Sequence, residues 1–160
     1  MMFPKRETEN KLFLKLKDGE DIKGVCRGHV YEFFVKWENN KSLVVEGSDP
    51  DARSRYRINF VTNIDGKFVA KVWEFSQTIC NKLADLAEEY DLSKTKIKIK
   101  RSGTGTDTDY SIIPLLKEPI PDKIMKEIEE VELQVLNIKP EKRELKNHAP
   151  GADDHDEVPF

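Results

Sequence analysis

Alternating apolar and polar residues predict that most of the chain up to position 116 forms β-strands. The longest alternation spans residues 22–37 and is interrupted by Gly24 and Gly28, as expected where a strand bends or bulges. A hairpin follows, because Asp65 and Gly66 separate two β-rich runs and form a favoured two-residue turn. The predicted strands cover residues 12–17, 22–37, 56–62, 67–75, 95–101 and 110–116.

Apolar residues at helical spacing occur in two places. Ser76 is suited to capping a helix that runs to about Tyr90, along which the apolar side chains form a single stripe. Pro119 and Pro121 then break the chain, and the sequence from Asp122 to Leu136 predicts a second helix with an acidic exposed side.

This order of elements predicts a mostly β protein with one helix inserted before its last two strands. The same order defines the OB-fold, a five-stranded Greek-key barrel with a helix between strands three and four. In that arrangement residues 22–37 form the first strand and the hairpin supplies the second and third. Residues 95–101 and 110–116 close the barrel. An open β sandwich with a packed helix is the alternative architecture.

Charge divides the chain into a basic body and an acidic end. Residues 1–117 contain 21 Lys/Arg and 18 Asp/Glu, a net charge of +3, whereas residues 118–160 contain 6 and 12, a net charge of −6. A basic body favours a polyanionic partner, and an acidic end favours a different one. We expect a barrel domain over residues 1–117, a helical extension over 118–139, and a disordered linker and acidic tip over 140–160.

Cysteine content and hydropathy exclude several protein classes. Cys26 and Cys80 provide neither a disulfide framework nor the spacing of a zinc site, so we expect no metal and no cofactor. The N-terminus lacks the apolar core of a signal peptide, and no apolar stretch is long enough to span a bilayer. The expected location is therefore the cytoplasm, without membrane contact, and the oligomeric state stays open.

The last eight residues combine an acidic run with an apolar end. A segment this short and charged cannot bury enough apolar surface to fold alone, so it is suited to docking on a partner. Its aromatic residue supplies an anchor, and its proline limits the ordering cost of binding. A purely solubilising tail is the alternative. The predicted partner-binding residues are Asp153, Asp154, Asp156, Glu157, Val158, Pro159 and Phe160.

This tip resembles the end of bacterial and phage single-stranded DNA-binding proteins of the SSB type, which close with aspartates, an apolar residue, Pro and Phe. Parts of the body are similar to the gene-32-like phage type with an OB-fold, namely residues 14–19, 56–61, 72–79, 97–105 and 109–115. One feature departs from this pattern, because residues 38–55 lack the zinc-binding cysteine cluster that relatives often carry.

The resemblance implies a non-catalytic protein that coats single-stranded DNA in replication, recombination or repair. It further implies that the tip recruits polymerases, helicases, primases or nucleases, in a bacterial cell or a phage-infected host.

Proteins hold single strands without reading sequence by means of cations that follow the phosphates and flat rings on which bases stack. Trp73 is the best predicted stacker, because it alternates with Lys71 on a hairpin strand, and the closely spaced arginines give the strongest cationic signal. The lysines at 96, 98 and 100 share a face that would be an ordinary solvated surface in most proteins. The predicted nucleic-acid-binding residues are Tyr31, Trp37, Arg53, Arg55, Tyr56, Arg57, Phe60, Lys71, Trp73, Lys98, Lys100 and Arg101.

Three other functions remain open at this point. An RNA-binding OB module would use the same cations and rings. A metal-dependent nuclease could use Asp107 and Asp109, although both lie in a turn-rich loop where aspartate is common. A pure adaptor would use the body only as a scaffold for the tip.

Overall fold

The computed structural model describes residues 12–138, which are mostly β with two helices. The strands are β1 (Asp21–Glu38), β2 (Lys41–Val45), β3 (Arg53–Ile64), β4 (Lys67–Ser76), β5 (Ile97–Ser102) and β6 (Asp109–Pro114). The helices are α1 (Gln77–Ala87) and α2 (Asp122–Glu129), and a 3-10 turn spans Gly105–Asp107. Within the described residues no helix is long and apolar enough to cross a membrane.

This part of the chain divides into two compact units. The first contains residues 12–31 and 56–136, and the second contains residues 32–55 together with 137 and 138. The first unit therefore holds both helices, β4, β5 and β6, along with the N-terminal half of β1 and most of β3. The domain boundaries expected at residues 117 and 139 stay a prediction.

The strands form one open, six-stranded antiparallel sheet. Its order is β4-β3-β1-β5-β6, with β2 paired to β1 outside this path. The mostly β class, the β3–β4 hairpin and the helix before the last two strands are confirmed. The open path does not confirm barrel closure. The sixth strand, β2, lies where the sequence pattern is irregular. Asn39 and Asn40 adopt left-handed backbone conformations and form the turn through which β2 pairs with β1.

Several predicted element bounds are wrong. Residues 12–17 do not form a strand, because only Phe13 bridges Val72, with the Leu14 N–H donating to the Val72 carbonyl at 2.9 Å. Ser76 occupies the N-cap position of α1, but its hydroxyl makes no capping hydrogen bond. Helix α2 ends at Glu129 instead of Leu136.

A large hydrophobic core in the first unit covers the sheet face toward α1. Phe60, Ile97 and Ile99 are fully buried there, and α1 contributes Ile79 and Leu83. Because neighbouring residues of a strand point to opposite faces, these positions place Lys98, between Ile97 and Ile99, on the other face.

The opposite face of the sheet is partly covered by a second core. Val25, Val61 and Ala70 of three adjacent strands pack there with Ile128 of α2. The sheet in this unit is thus buried on both faces over its β3–β1 centre. Gly24 lies between the two cores, where a side chain would collide with the Val61 carbonyl and the Phe60 ring.

The chain after α2 stays extended because the sheet offers it hydrogen-bond partners. Asn59 is only 3% exposed. Its side chain accepts a hydrogen bond from the Gln134 N–H at 2.7 Å and donates one to the Gln134 carbonyl at 3.1 Å. The Gln134 side chain donates to the Ala70 carbonyl at 3.1 Å, and Arg27 donates to the Ile128 carbonyl at 2.8 Å. The bonds from Arg27 and Asn59 satisfy main-chain groups that a continued helix would have paired internally.

The second unit is built around the β1–β2 hairpin. Phe33, Leu43 and Val45 are buried in it. Lys36 and Asp49 form an ion pair at 3.1 Å. A hydrogen bond from the Asp51 N–H and the Lys36 ammonium both lower the pKa of Asp49.

Replacing Asn59 with alanine is expected to lower the free energy of unfolding by about 1–3 kcal/mol, because two main-chain groups of Gln134 lose their partner in a buried place. Urea denaturation measures this loss, and hydrogen exchange should accelerate over residues 131–136. Asn81→Ala is the control, since Asn81 is exposed on α1 and should change stability by less than about 0.5 kcal/mol. Equal losses in both variants would contradict the role assigned to Asn59.

Candidate functional site

Two of the predicted stacking rings are buried in the core and cannot meet a base. Trp73 is 2% exposed and Phe60 is fully buried. Their rings meet edge to face at 6.0 Å, and Trp73 also lies 4.8 Å from Phe75. The choice of Trp73 as best stacker is therefore wrong, because its side of β4 faces α1 rather than solvent.

Tyr56 belongs to the same packed group of rings. Its hydroxyl donates to the Gln77 side chain at 2.6 Å, and its ring stacks on Phe75 at 6.0 Å. The ring is half-buried, its hydroxyl is hydrogen-bonded and one of its faces is stacked. Tyr56 therefore links β3 to the start of α1.

Two of the predicted cationic residues are already engaged with the protein itself. Arg57 pairs with Glu74 at 3.1 Å, and its guanidinium lies over the Phe13 ring at 5.3 Å. Arg101 donates to the Leu16 carbonyl at 2.7 Å and to the Thr108 hydroxyl at 3.3 Å. Both guanidinium groups join separate segments of the protein. These internal contacts compete with phosphate for the same N–H donors.

The remaining predicted residues differ in exposure. Arg53 and Lys100 are exposed, whereas Tyr31, Arg55, Lys71 and Lys98 are half-buried. Arg53 and Arg55 lie in the second unit and Arg57 in the first, so the arginine trio is divided between the two units.

Lysines are concentrated on the sheet face opposite α1, in the first unit. Lys23 of β1 lies directly opposite Lys98 of β5. Lys96 precedes β5 and Lys100 lies within it, and both share the face of Lys98 because residues two apart point the same way. We call Lys23, Lys96, Lys98 and Lys100 the lysine face. On its far side, β6 places Ser111 opposite Lys100 and the exposed Ile113 opposite Lys98.

One carboxylate neutralises part of the lysine face. Glu118 accepts hydrogen bonds from both Lys23 and Lys96 at 3.3 Å. The bond from Lys23, followed by that from Lys96, lowers the pKa of Glu118. This pairing is present above the ordinary titration range of a glutamate and is lost as the pH falls through the lowered pKa.

The other two lysines carry charge that the described protein does not neutralise with an ion pair. Across the described residues, Lys98 and Lys100 form no salt bridge, although Asp21 lies opposite Lys100 on β1. Like charges directly opposite each other on neighbouring strands destabilise a sheet. An anion with several charges would remove that cost, so this face is suited to a polyanion.

The second unit supplies a different kind of binding group. Trp37 is 71% exposed, near the turn of the β1–β2 hairpin, opposite Ser42. Lys41, at the start of β2, is exposed next to the same turn. An exposed indole is costly to leave in water and is the usual platform for a base or another flat group.

Within the described part of the chain, the aspartates considered for metal catalysis are not grouped with further metal ligands. Asp109 pairs with Lys82 at 3.3 Å, and a hydrogen bond from the Tyr110 N–H, followed by Lys82, lowers its pKa. Asp107 ends the 3-10 turn and is exposed. Among residues 12–138, no group of three or more His, Cys, Asp or Glu is arranged to hold a metal ion.

Both cysteines are free thiols in the first unit. Burial raises the pKa of Cys26 to about 12, which keeps it protonated and chemically inert at neutral pH. Cys26 therefore supplies no reactive or metal-binding thiolate.

Sequence reasoning missed Lys23 and gave Lys96 only minor weight. The alternation of lysines through residues 96–100 was visible, but its pairing partner on β1 could not be read from spacing along the chain. The predicted partner-binding residues, from 153 to 160, lie outside the described residues.

Comparison with protein-family models, with curated proteins and with solved structures finds no match for this chain.

The two tryptophans should differ strongly in solvent access. In a Trp73→Phe variant the fluorescence comes from the exposed Trp37, and acrylamide should quench it efficiently. In a Trp37→Phe variant it comes from the buried Trp73, and quenching should be weak. Similar Stern–Volmer constants in the two folded variants would contradict the placement of both indoles.

Proposed function

We propose that this protein binds single-stranded DNA without sequence specificity and performs no catalysis. It coats strands exposed in replication, recombination or repair, in the cytoplasm of a bacterial or phage-infected cell. Residues 153–160 recruit the proteins that act on the strand, such as polymerases, helicases, primases or nucleases.

The observation that carries this proposal is the lysine face. Lys23 and Lys98 are placed opposite each other on paired strands, and Lys98 and Lys100 form no ion pair with the described residues. Glu118 pairs with Lys23 and Lys96, and Asp21 lies opposite Lys100, whereas Lys98 has Lys23 opposite it on β1 and the apolar Ile113 opposite it on β6. Retaining a row of cations on a rigid sheet favours a ligand with regularly spaced negative charges, which is what a phosphate backbone provides.

Exposed Trp37 supports a single-stranded rather than a double-stranded ligand. Bases are free to stack on a side chain only when they are unpaired, and each stacked base contributes about 1–3 kcal/mol. Trp37 replaces Trp73 as the predicted stacker, because it is the tryptophan whose ring reaches solvent.

The proposed fold is an OB-type barrel with an additional strand. The inserted helix between β4 and β5, and the core that α1 forms against β3 and β5, are the features expected of that fold. Strands β4 and β6 lie at the two ends of the sheet order and are not hydrogen-bonded to each other. A barrel requires these two strands to approach each other.

Removing two lysines of the lysine face should weaken binding to oligo-dT and reduce its dependence on salt. In single strands each neutralised phosphate contributes about 0.7 to the slope of log K against log salt. A Lys98→Ala, Lys100→Ala double variant should therefore lose about 1.4 from that slope. Fluorescence anisotropy of labelled oligo-dT across a salt series measures both quantities.

A lysine outside the face provides the matched control. Lys94 is exposed in the loop between α1 and β5, and Lys94→Ala, combined with Lys17→Ala, removes the same total charge. This control should keep the wild-type slope. If both double variants weaken binding equally, the attraction comes from net charge and the lysine face is not the site. Tighter binding to oligo-U than to oligo-dT would instead favour an RNA-binding module.

Replacing Trp37 with alanine should weaken oligo-dT binding by roughly 5- to 150-fold, the equivalent of one lost stacked base. Trp37→Phe keeps a flat ring and should recover most of the affinity. The measurement is the same anisotropy titration at fixed salt. An unchanged affinity in Trp37→Ala would remove Trp37 from the residues proposed to bind DNA while leaving the test of the lysine face intact.

A further inference from the structure

Glu118 lies where it can compete with an anion bound at the lysine face. It follows β6 in the chain, and its carboxylate pairs with Lys23 of β1 and with Lys96, both at 3.3 Å. All three side chains are partly exposed, 49% for Lys23, 32% for Lys96 and 42% for Glu118. Ion pairs as exposed as these contribute little to stability, so their partners can be exchanged at small cost.

Lys98 is the neighbour of both lysines that Glu118 occupies. It lies two residues from Lys96 on the same face and directly opposite Lys23. The Lys96 carbonyl accepts from the Leu115 N–H at 2.8 Å, directly after β6. Because main-chain groups of alternate residues point to the same neighbouring strand, those of Lys98 also point to β6, and Lys98 and Lys23 form a non-hydrogen-bonded pair. The Cα atoms of such pairs are only about 4.5 Å apart, so an anion at Lys98 lies beside the lysines that hold Glu118.

Asp21 is a second carboxylate on this part of the sheet. It lies opposite Lys100 on β1, and among the described residues it forms no ion pair. Glu118, in contrast, holds two ammonium groups at once. Of the two carboxylates, Glu118 is therefore the one that an incoming phosphate has to replace.

We propose that Glu118 makes the lysine face selective for a strand of several phosphates over an isolated anion. A strand held first at Lys98 and Lys100 presents its next phosphate to the other two lysines at a high effective concentration and displaces Glu118. An isolated phosphate has no such anchor and competes unaided with a carboxylate that the chain already holds in place. This role of Glu118 rests on the proposed binding of single-stranded DNA and adds the residue that determines which anions the face accepts.

The exchange requires only the side chain of Glu118 to move. Its N–H donates to the Leu115 carbonyl at 3.1 Å, in a turn that stays closed while the carboxylate swings into water. The carboxylate is already partly hydrated, and each lysine replaces one anionic partner with another. No buried charge is left without a partner.

Replacing Glu118 with glutamine tests this competition in the full chain. The amide keeps the shape of the side chain and loses its charge, so oligo-dT should bind about 2- to 30-fold more tightly, as expected for two exposed ion pairs that no longer have to be broken. Fluorescence anisotropy of labelled oligo-dT at fixed salt measures the gain.

Two variants provide charge-matched controls. Asp21→Asn removes a carboxylate from the same part of the sheet, and Glu89→Gln removes an exposed one just after α1. Each should change the affinity by less than about twofold, since neither carboxylate forms an ion pair with the described lysines. A gain in Glu118→Gln no larger than in these controls overturns the proposal.

A double-mutant cycle determines whether the gain passes through the two lysines. In a chain carrying Lys23→Ala and Lys96→Ala, Glu118→Gln should leave the affinity unchanged, because the carboxylate has no ammonium group to release. An equal gain in both backgrounds would mean that Glu118 repels the strand from a distance, which contradicts the exchange. Thermal melts verify that each variant folds.

The ionisation of Glu118 reports the displacement directly. Hydrogen bonds from Lys23 and then from Lys96 hold its pKa below the usual range. Carboxyl ¹³C NMR follows this titration, with the signal assigned by its loss in Glu118→Gln. Saturating oligo-dT should bring the pKa back to the usual range or above it, whereas inorganic phosphate at the same phosphate concentration should leave it low. A pKa that stays low in the complex, or that rises equally with inorganic phosphate, overturns the proposal.

Failure of the proposed function gives a different result from failure of this role. If the wild-type chain and every variant leave oligo-dT unbound, the proposed function fails and the role of Glu118 fails with it. If the wild-type chain binds and Glu118→Gln behaves like the two controls, only the role of Glu118 is overturned.

Discussion

The need to bury apolar side chains on both faces of one sheet determines where every other group in the first unit can lie. Strands β1 and β3 send Cys26 and Phe60 into the core under α1, and their neighbours Val25 and Val61 into the core under α2. Burial of such side chains contributes about 1.5–3 kcal/mol each, which is more than most surface contacts contribute. Over β5 and β6, the described core residues lie on the face toward α1, and charged groups such as Lys98 lie on the other face.

This constraint explains why the aromatic residues and the lysines have separate roles. Rings on the α1 side contact one another and fill volume, as Phe60, Trp73 and Phe75 do. On the opposite face of β5 there is no helix, and Lys98 and Lys100 reach solvent there. The exposed indole of Trp37 belongs to the other unit.

Local patterns were sufficient for most of the elements but not for their faces. The Asp65-Gly66 turn and the apolar stripe of α1 are encoded by neighbouring residues, and both were predictable. Alternation around Trp73 shows that one side of β4 is apolar, but it cannot show whether a helix or water lies above that side. The end of α2 was missed for a related reason, since Asn59, 75 positions away along the chain, holds Gln134 in extended form.

Pairing across strands also explains why the lysine face could not be recognised from one segment. An alternating row of lysines on a single strand is stable in water, because each ammonium group is surrounded by solvent. The same row becomes unfavourable only when register sets Lys23 against Lys98, and register depends on how β1 and β5 meet. Glu118 relieves this repulsion at Lys23 and Lys96 by bringing a carboxylate from the segment after β6. The repulsion that remains at Lys98, which lies opposite Lys23, is a cost to the folded protein that an anionic ligand would offset.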